Sequence, residues 1–139
     1  MNEVMDEIMQ RSHELREDPN IHYNCAQGVF IPFAERKGLT AEQAGAITEN
    51  FGGGMRMGMT CGAITGGLMA LGLYGIGGAR DTVEFIQRIG AQHEGRTQCR
   101  DLLSAEVKSP LEKKPHCDNM VYEAVLAVEE MLRARGIEI

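Results

Sequence analysis

The sequence predicts an all-α fold: a single-domain bundle of six or seven helices over residues 1–139, with a glycine-rich central helix. Three observations point there. Apolar residues recur at spacings of three and four along most of the chain, no alternating apolar and polar run is long enough for a strand, and Asn, Thr and Gly punctuate the periodic segments as caps and stops. At 139 residues and 15.3 kDa the chain suits one domain that buries its own core.

A first helix is expected from Asn2 to about Arg16, with Val4, Ile8 and Leu15 near one face, stopped by Asp18-Pro19-Asn20; it carries no obvious chemistry. A second begins at Asn24 as cap, so that Cys25 falls in its first turn. Val29 and Phe33 share one side, and Gly38 follows the basic end Arg36-Lys37. Pro32 lies inside it and crowds the carbonyl of Gly28, which predicts a kink and not a break. Thr40-Ala41-Glu42-Gln43 matches a capping box, with Ala44, Ile47 and Phe51 as the apolar face of a third helix ending at Gly52.

Thr60 is the expected cap of the central helix, which runs to about Leu71 with a small-residue stripe of Gly58, Gly62, Gly66 and Ala70 that admits another backbone closely. A fifth helix starts at Asp81 with Val83, Ile86 and Ile89 inward, and a short one carries Cys99-Arg100-Asp101-Leu102-Leu103. Lys108 to Pro115 reads as an exposed loop. The last helix has the clearest stripe, Val121, Ala124, Val125, Val128, Met131 and Leu132, and ends at Gly136.

A net charge of −6 and a pI near 5.2 exclude the massed Lys and Arg of a nucleic-acid footprint. Met57 to Ala79 is an uncharged stretch of 23 residues, long enough to span a bilayer. Eight of those residues are glycine, however, and the Gly72–Gly78 part reads as a helix end, so no membrane span is expected. The acidic start Met1-Asn2-Glu3-Val4-Met5-Asp6-Glu7 lacks the features of a secretory signal, which points to the cytoplasm, where thiols stay reduced, metal-bound or catalytic.

Chemistry concentrates in the four cysteines, Cys25, Cys61, Cys99 and Cys117, separated by 36, 38 and 18 residues. None of these spacings makes a C-x-x-C hairpin, so joint action must come from the fold. Each is expected at or near a helix start, where free N–H groups and the helix dipole favour thiolate. A lone free cysteine is as readily a small buried hydrophobe; four at similar positions favour a shared centre.

The chain resembles the family of small four-cysteine redox-active proteins named for the signature C…GCAxxG…C…C (C_GCAxxG_C_C). The resemblance rests on Asn24-Cys25-Ala26-Gln27, Phe51-Gly52-Gly53-Gly54-Met55, Cys61-Gly62-Ala63-Ile64-Thr65-Gly66 with Leu71-Gly72-Leu73, and Cys99-Arg100-Asp101-Leu102-Leu103 followed by Cys117. The core reads C-G-A-x-x-G here, with Thr60 before it. The resemblance implies that Cys25, Cys61, Cys99 and Cys117 are redox-active, and it associates relatives with iron–sulfur binding.

A four-thiolate set suits an iron–sulfur cluster or tetrahedral zinc. The favoured expectation is electron transfer through a bound cluster held by the four cysteines, with Gly53, Gly54 and Gly62 bringing main chain close to it and a redox partner protein of unspecified identity. The alternatives are a metal-free dithiol–disulfide protein, or a structural metal-binding or partner-docking module. For zinc, His22 and His116 are further donors, although loop histidines are more often solvated. Met55, Met57 and Met59 would suit Cu(I) but are more simply core filler or a surface lining. Arg56, Arg96 and Arg100 are candidates to neutralise the centre. The loop Gly52–Gly58 lacks the preceding strand and the Gly-Lys-Ser/Thr of a P-loop.

Overall fold

A computed structural model describes residues 3–139, and within them the chain forms seven α-helices: α1 (Glu3–Arg16), α2 (Cys25–Arg36), α3 (Ala41–Thr48), α4 (Gly62–Leu73), α5 (Ala79–Gly90), α6 (Cys99–Glu106) and α7 (Pro110–Ala134). The expected first residue Asn2 lies outside the described residues. Among them no strand forms, only an isolated antiparallel bridge between Thr60 and Gln98. Nor is any helix of the described residues long and apolar enough to cross a membrane.

Helix α2 sits at the centre and packs against α1, α3, α4 and α7. Its residues Ala26 to Ala34 are all buried, which a helix achieves only with neighbours on every side. The glycine-rich α4 is its closest companion. A Cβ built on Gly66 would lie 2.6 Å from the Ala26 carbonyl oxygen, and one on Gly62 would lie 3.2 Å from the Ala26 nitrogen, so the small-residue stripe does admit a backbone. Gly58, expected in that stripe, lies outside α4 and against Arg100 instead.

Pro32 leaves the helix unbroken because its missing N–H is replaced. The Gly28 carbonyl, which that donor would have reached, accepts the Ser12 hydroxyl of α1 at 2.9 Å. Helix ends follow the glycines. After α2, α4 and α7 the left-handed residues Gly38, Gly75 and Gly136 turn the chain, and the amides of Leu39, Ile76 and Ile137 return to Ala34, Leu71 and Leu132 at 3.1, 2.9 and 3.0 Å.

Several expectations are corrected. Helix α7 begins at Pro110, so residues 110–115 are helical and not loop: Pro110 stands at the first helical position, where no donor is needed, and Pro115 deprives only the Leu111 carbonyl, in an exposed turn open to water. In α5 Ile89 is buried and Ile86 packs half-buried against the core as expected, but Phe85 takes the inward place of Val83, which is 50% exposed, since two residues along a helix turn a side chain by about 200°. Ile47 is likewise 50% exposed, because α3 covers itself against α2 with Ala44, Gly45 and Thr48. Thr60 does not cap α4; that position belongs to Cys61.

Candidate functional site

All four cysteines are free thiols and line one cavity of about 530 Å³ that opens at the surface. Four local structures bring them there. Cys25 is the first residue of α2, behind a reciprocal cap in which Gln27 N–H donates to Asn24 Oδ1 (2.9 Å) and Asn24 N–H donates to Gln27 Oε1 (2.7 Å). Gln27 Nε2 also donates to the Gly45 carbonyl (3.0 Å), tying this end to α3.

Cys61 and Cys99 are held by the one β-bridge. Cys61 N–H donates to the Thr97 carbonyl (2.9 Å) and Cys99 N–H to the Met59 carbonyl (2.6 Å), so Thr60 and Gln98 face each other between them and their side chains bond at 3.3 Å. Cys61 then caps α4 and Cys99 opens α6. Cys117 departs from the expected pattern: it lies eight residues into α7, counting from Pro110, and not at a helix start.

The turn from Gly53 to Arg56 has four successive residues in the left-handed region, with φ of 61°, 63°, 57° and 60°. Glycine enters that region freely, whereas Met55 and Arg56 each carry a steric cost of about 1–2 kcal/mol. Gly54 has no alternative. A Cβ there would lie 2.5 Å from the Met59 backbone and 2.9 Å from Cys99 Cβ. Gly53 and Gly62 line the cavity, and a Cβ on Gly62 would come 3.3 Å from Cys25 Cβ. Main chain therefore does crowd the thiols at Gly54 and Gly62.

Electrostatics separate the four. Cys25 and Cys117 act on each other. Hydrogen bonding from the Cys25 thiol, with nearby Arg16 and Lys113, lowers Cys117 to about 7 against burial, while the same partner and burial push Cys25 well above the usual thiol range. Burial pushes Cys61 up to about 11, although the Ala63 and Ile64 amides favour its thiolate without closing a full capping hydrogen bond. Burial and the charge of Cys117 also raise Cys99. A helix start is thus insufficient to ionise a buried thiol.

Sequence reasoning missed Arg16 and Lys113. Arg16 is buried where α1 crosses α2 at Gly28, with Nε donating to Asp118 Oδ1 (2.8 Å) and Nη1 to the Tyr23 carbonyl (2.7 Å). Its signal was available: Arg16 continues the buried stripe Met5, Ile8, Ser12, Leu15, an odd place for a cation unless it has partners. Lys113 was hidden in the supposed loop. Of the three arginines proposed, only Arg100 lines the cavity; Arg56 pairs with Glu49 (3.7 Å) and Arg96 with Glu94 (3.4 Å). His22 and His116 line the cavity too, and His116 Nδ1 stands 3.5 Å from Glu106. Met57 and Met59 are 73% and 41% exposed, which removes them from the core.

Residues 23–131 match the family described as putative redox-active protein (C_GCAxxG_C_C). The chain belongs to this family. Neither a curated protein nor a solved structure matches it. The matched residues include all four cysteines, α2 to α6 and most of α7.

A cluster or a zinc ion would require at least three of these donors to converge. Among the described residues no group of three or more His, Cys, Asp and Glu side chains stands where it could hold a metal ion. The four thiols share the cavity without forming such a group.

Proposed function

We propose that this family member is a dithiol–disulfide redox protein in which Cys25 and Cys117 are the cycling pair. The observation that carries the reading is the meeting of these two thiols, from α2 and α7, at the wall of an open cavity beside the buried Arg16 guanidinium. Cys117 is the attacking thiolate and Cys25 the resolving thiol.

The step balances without a metal. Cys117 thiolate attacks one sulfur of an acceptor disulfide, forming a mixed disulfide and expelling one acceptor thiolate. Cys25 then releases its proton and attacks Cys117 Sγ, closing the Cys25–Cys117 disulfide and expelling the second thiolate. Two electrons pass from protein to acceptor and one proton to solvent; the reverse sequence reduces the protein. Cys61 and Cys99 support the site, and the cytoplasm is the compartment in which such thiols stay reduced.

The iron–sulfur reading is supported by the shared cavity of the four thiols alone. Oxidation of the reduced protein by a small disulfide, followed by alkylation and peptide mapping without reductant, tests the exchange reading. The expected product is a Cys25–Cys117 cross-link. A cross-link through Cys61 and Cys99, with Cys25 and Cys117 left alkylated, overturns it.

A further inference from the structure

The cavity has a sign. The chain has 20 acidic and 14 basic residues, yet the cavity is lined by Arg16, Arg100, Lys113, Lys114, His22 and His116, with no aspartate or glutamate among the described lining residues. The charge is only partly neutralised. Arg16 and Lys114 share Asp118, at 2.8 and 2.9 Å. Lys113 and Arg100, on α7 and α6, have no hydrogen-bond or ion-pair partner among the described residues, and Lys113 acts electrostatically on both Cys117 and Cys99.

Two unpaired cations at the mouth of a concave site on an otherwise acidic protein draw in anions and repel cations. The volume, about 530 Å³, falls in the range of small-molecule sites, roughly 300–1,000 Å³. The apolar walls, Leu102, Leu103 and Met120, suit the methylene and sulfur atoms of a small disulfide while the cations take its carboxylates.

Building on the exchange reading, we infer that the substrate of this site is a low-molecular-weight disulfide bearing carboxylates, held by Lys113 and Arg100 with its S–S bond over Cys117. Carboxylates seated at the rim leave the sulfurs as the deepest part of the ligand, which is where the thiol pair lies. The cations also stabilise the thiolate that leaves in each step, so they favour the product as well as the encounter.

Three disulfides of similar size test this: 3,3′-dithiodipropionate (anionic), 2-hydroxyethyl disulfide (neutral) and cystamine (cationic). The rate at which each oxidises the reduced 139-residue protein is divided by its rate with free mercaptoethanol, which removes intrinsic leaving-group differences. Dithiodipropionate should lead cystamine by about 10-fold at low ionic strength, and the lead should shrink as salt screens it. In the Lys113→Glu/Arg100→Glu protein, with circular dichroism unchanged, the order should reverse. Equal normalised rates, or a faster cystamine, overturn the inference and leave the exchange function standing. Failure of all three to close the Cys25–Cys117 disulfide overturns the exchange reading and this inference with it.

Discussion

Two pairs of thiols in one cavity are placed by different means, and only one of the four, Cys117, is made acidic. Cys25 and Cys117 come from α2 and α7, half-buried, with Arg16 acting on both. Cys61 and Cys99 are fixed by the Thr60–Gln98 bridge and raised by burial, and Cys61 is only 5% exposed. Cys61 has the helix start and the amide donors, yet Cys117, deep in α7, is the acidic thiol. A partner S–H and two side-chain cations outweigh a helix terminus whose field acts on a desolvated sulfur.

The widest gap between Cys117 and Cys61 should appear in alkylation. At pH 7 a thiol at about 7 is half ionised, whereas one at about 11 is ionised to roughly one part in 10⁴. Weaker intrinsic nucleophilicity of the more acidic thiolate returns part of that, leaving Cys117 about 10²-fold faster than Cys61. Timed iodoacetamide labelling with peptide mass mapping measures the ratio, and comparable rates would erase the distinction. The Cys25→Ala protein should shift the Cys117 labelling midpoint to higher pH, because the donor that lowers it is gone.

The second comparison is of packing. Gly66→Leu places a side chain where even a Cβ meets Ala26 backbone, and should cost about 1–3 kcal/mol, read as a lower denaturant midpoint. Gly53→Ala meets no neighbour within 4 Å and pays only for its left-handed backbone, about 1–2 kcal/mol. Equal loss of Cys61 and Cys99 placement in both variants would remove the role assigned to close approach.

Stability against pH should also distinguish Cys117 from Cys61. Cys117 is lower in the folded protein than its ordinary 9.0, so its contribution is present above 9 and is lost as pH falls through about 7. Cys61 is raised, so its contribution is full below 9 and is lost as pH rises through about 11. Each changes stability by at most about 1.4 kcal/mol per pH unit. Urea unfolding of wild type against Cys117→Ser between pH 7 and 9 should show the wild type gaining more with pH; against Cys61→Ser between pH 9 and 11 the wild type should lose more.

The smallest effect belongs to the left-handed turn. Met55→Gly removes a strained side chain from φ 57° and should stabilise by up to about 1 kcal/mol, reduced by the greater freedom of glycine when unfolded. A destabilised Met55→Gly protein, measured by thermal unfolding, would show that the half-buried Met55 side chain contributes more than its backbone costs.

Much of the fold was legible because helices declare themselves locally. The capping box at Thr40, the cap at Asn24, the stripe from Val121 to Leu132 and the glycine stops at Gly38 and Gly136 all depend on neighbours within a turn or two. The close approach at Gly62 and Gly66 was legible for the same reason, since spacing four puts both on one face. The start of α7 was misread because two prolines suggest loop, although the first suits a helix start and the second deprives only an exposed turn.

What the chain determines by itself is therefore its set of helices, its family and the identity of its four thiols. Only the tertiary structure decides which thiols meet and which one ionises. Cys25 and Cys117 lie far apart in sequence, Arg16 reaches them from α1 and Lys113 from the supposed loop, and the Thr60–Gln98 bridge leaves no alternating pattern to read. A thiol's acidity follows from charges and donors within a few ångströms and from the water removed around it. Those neighbours come from α1, α2 and α7 at once, and no local spacing encodes how three helices cross.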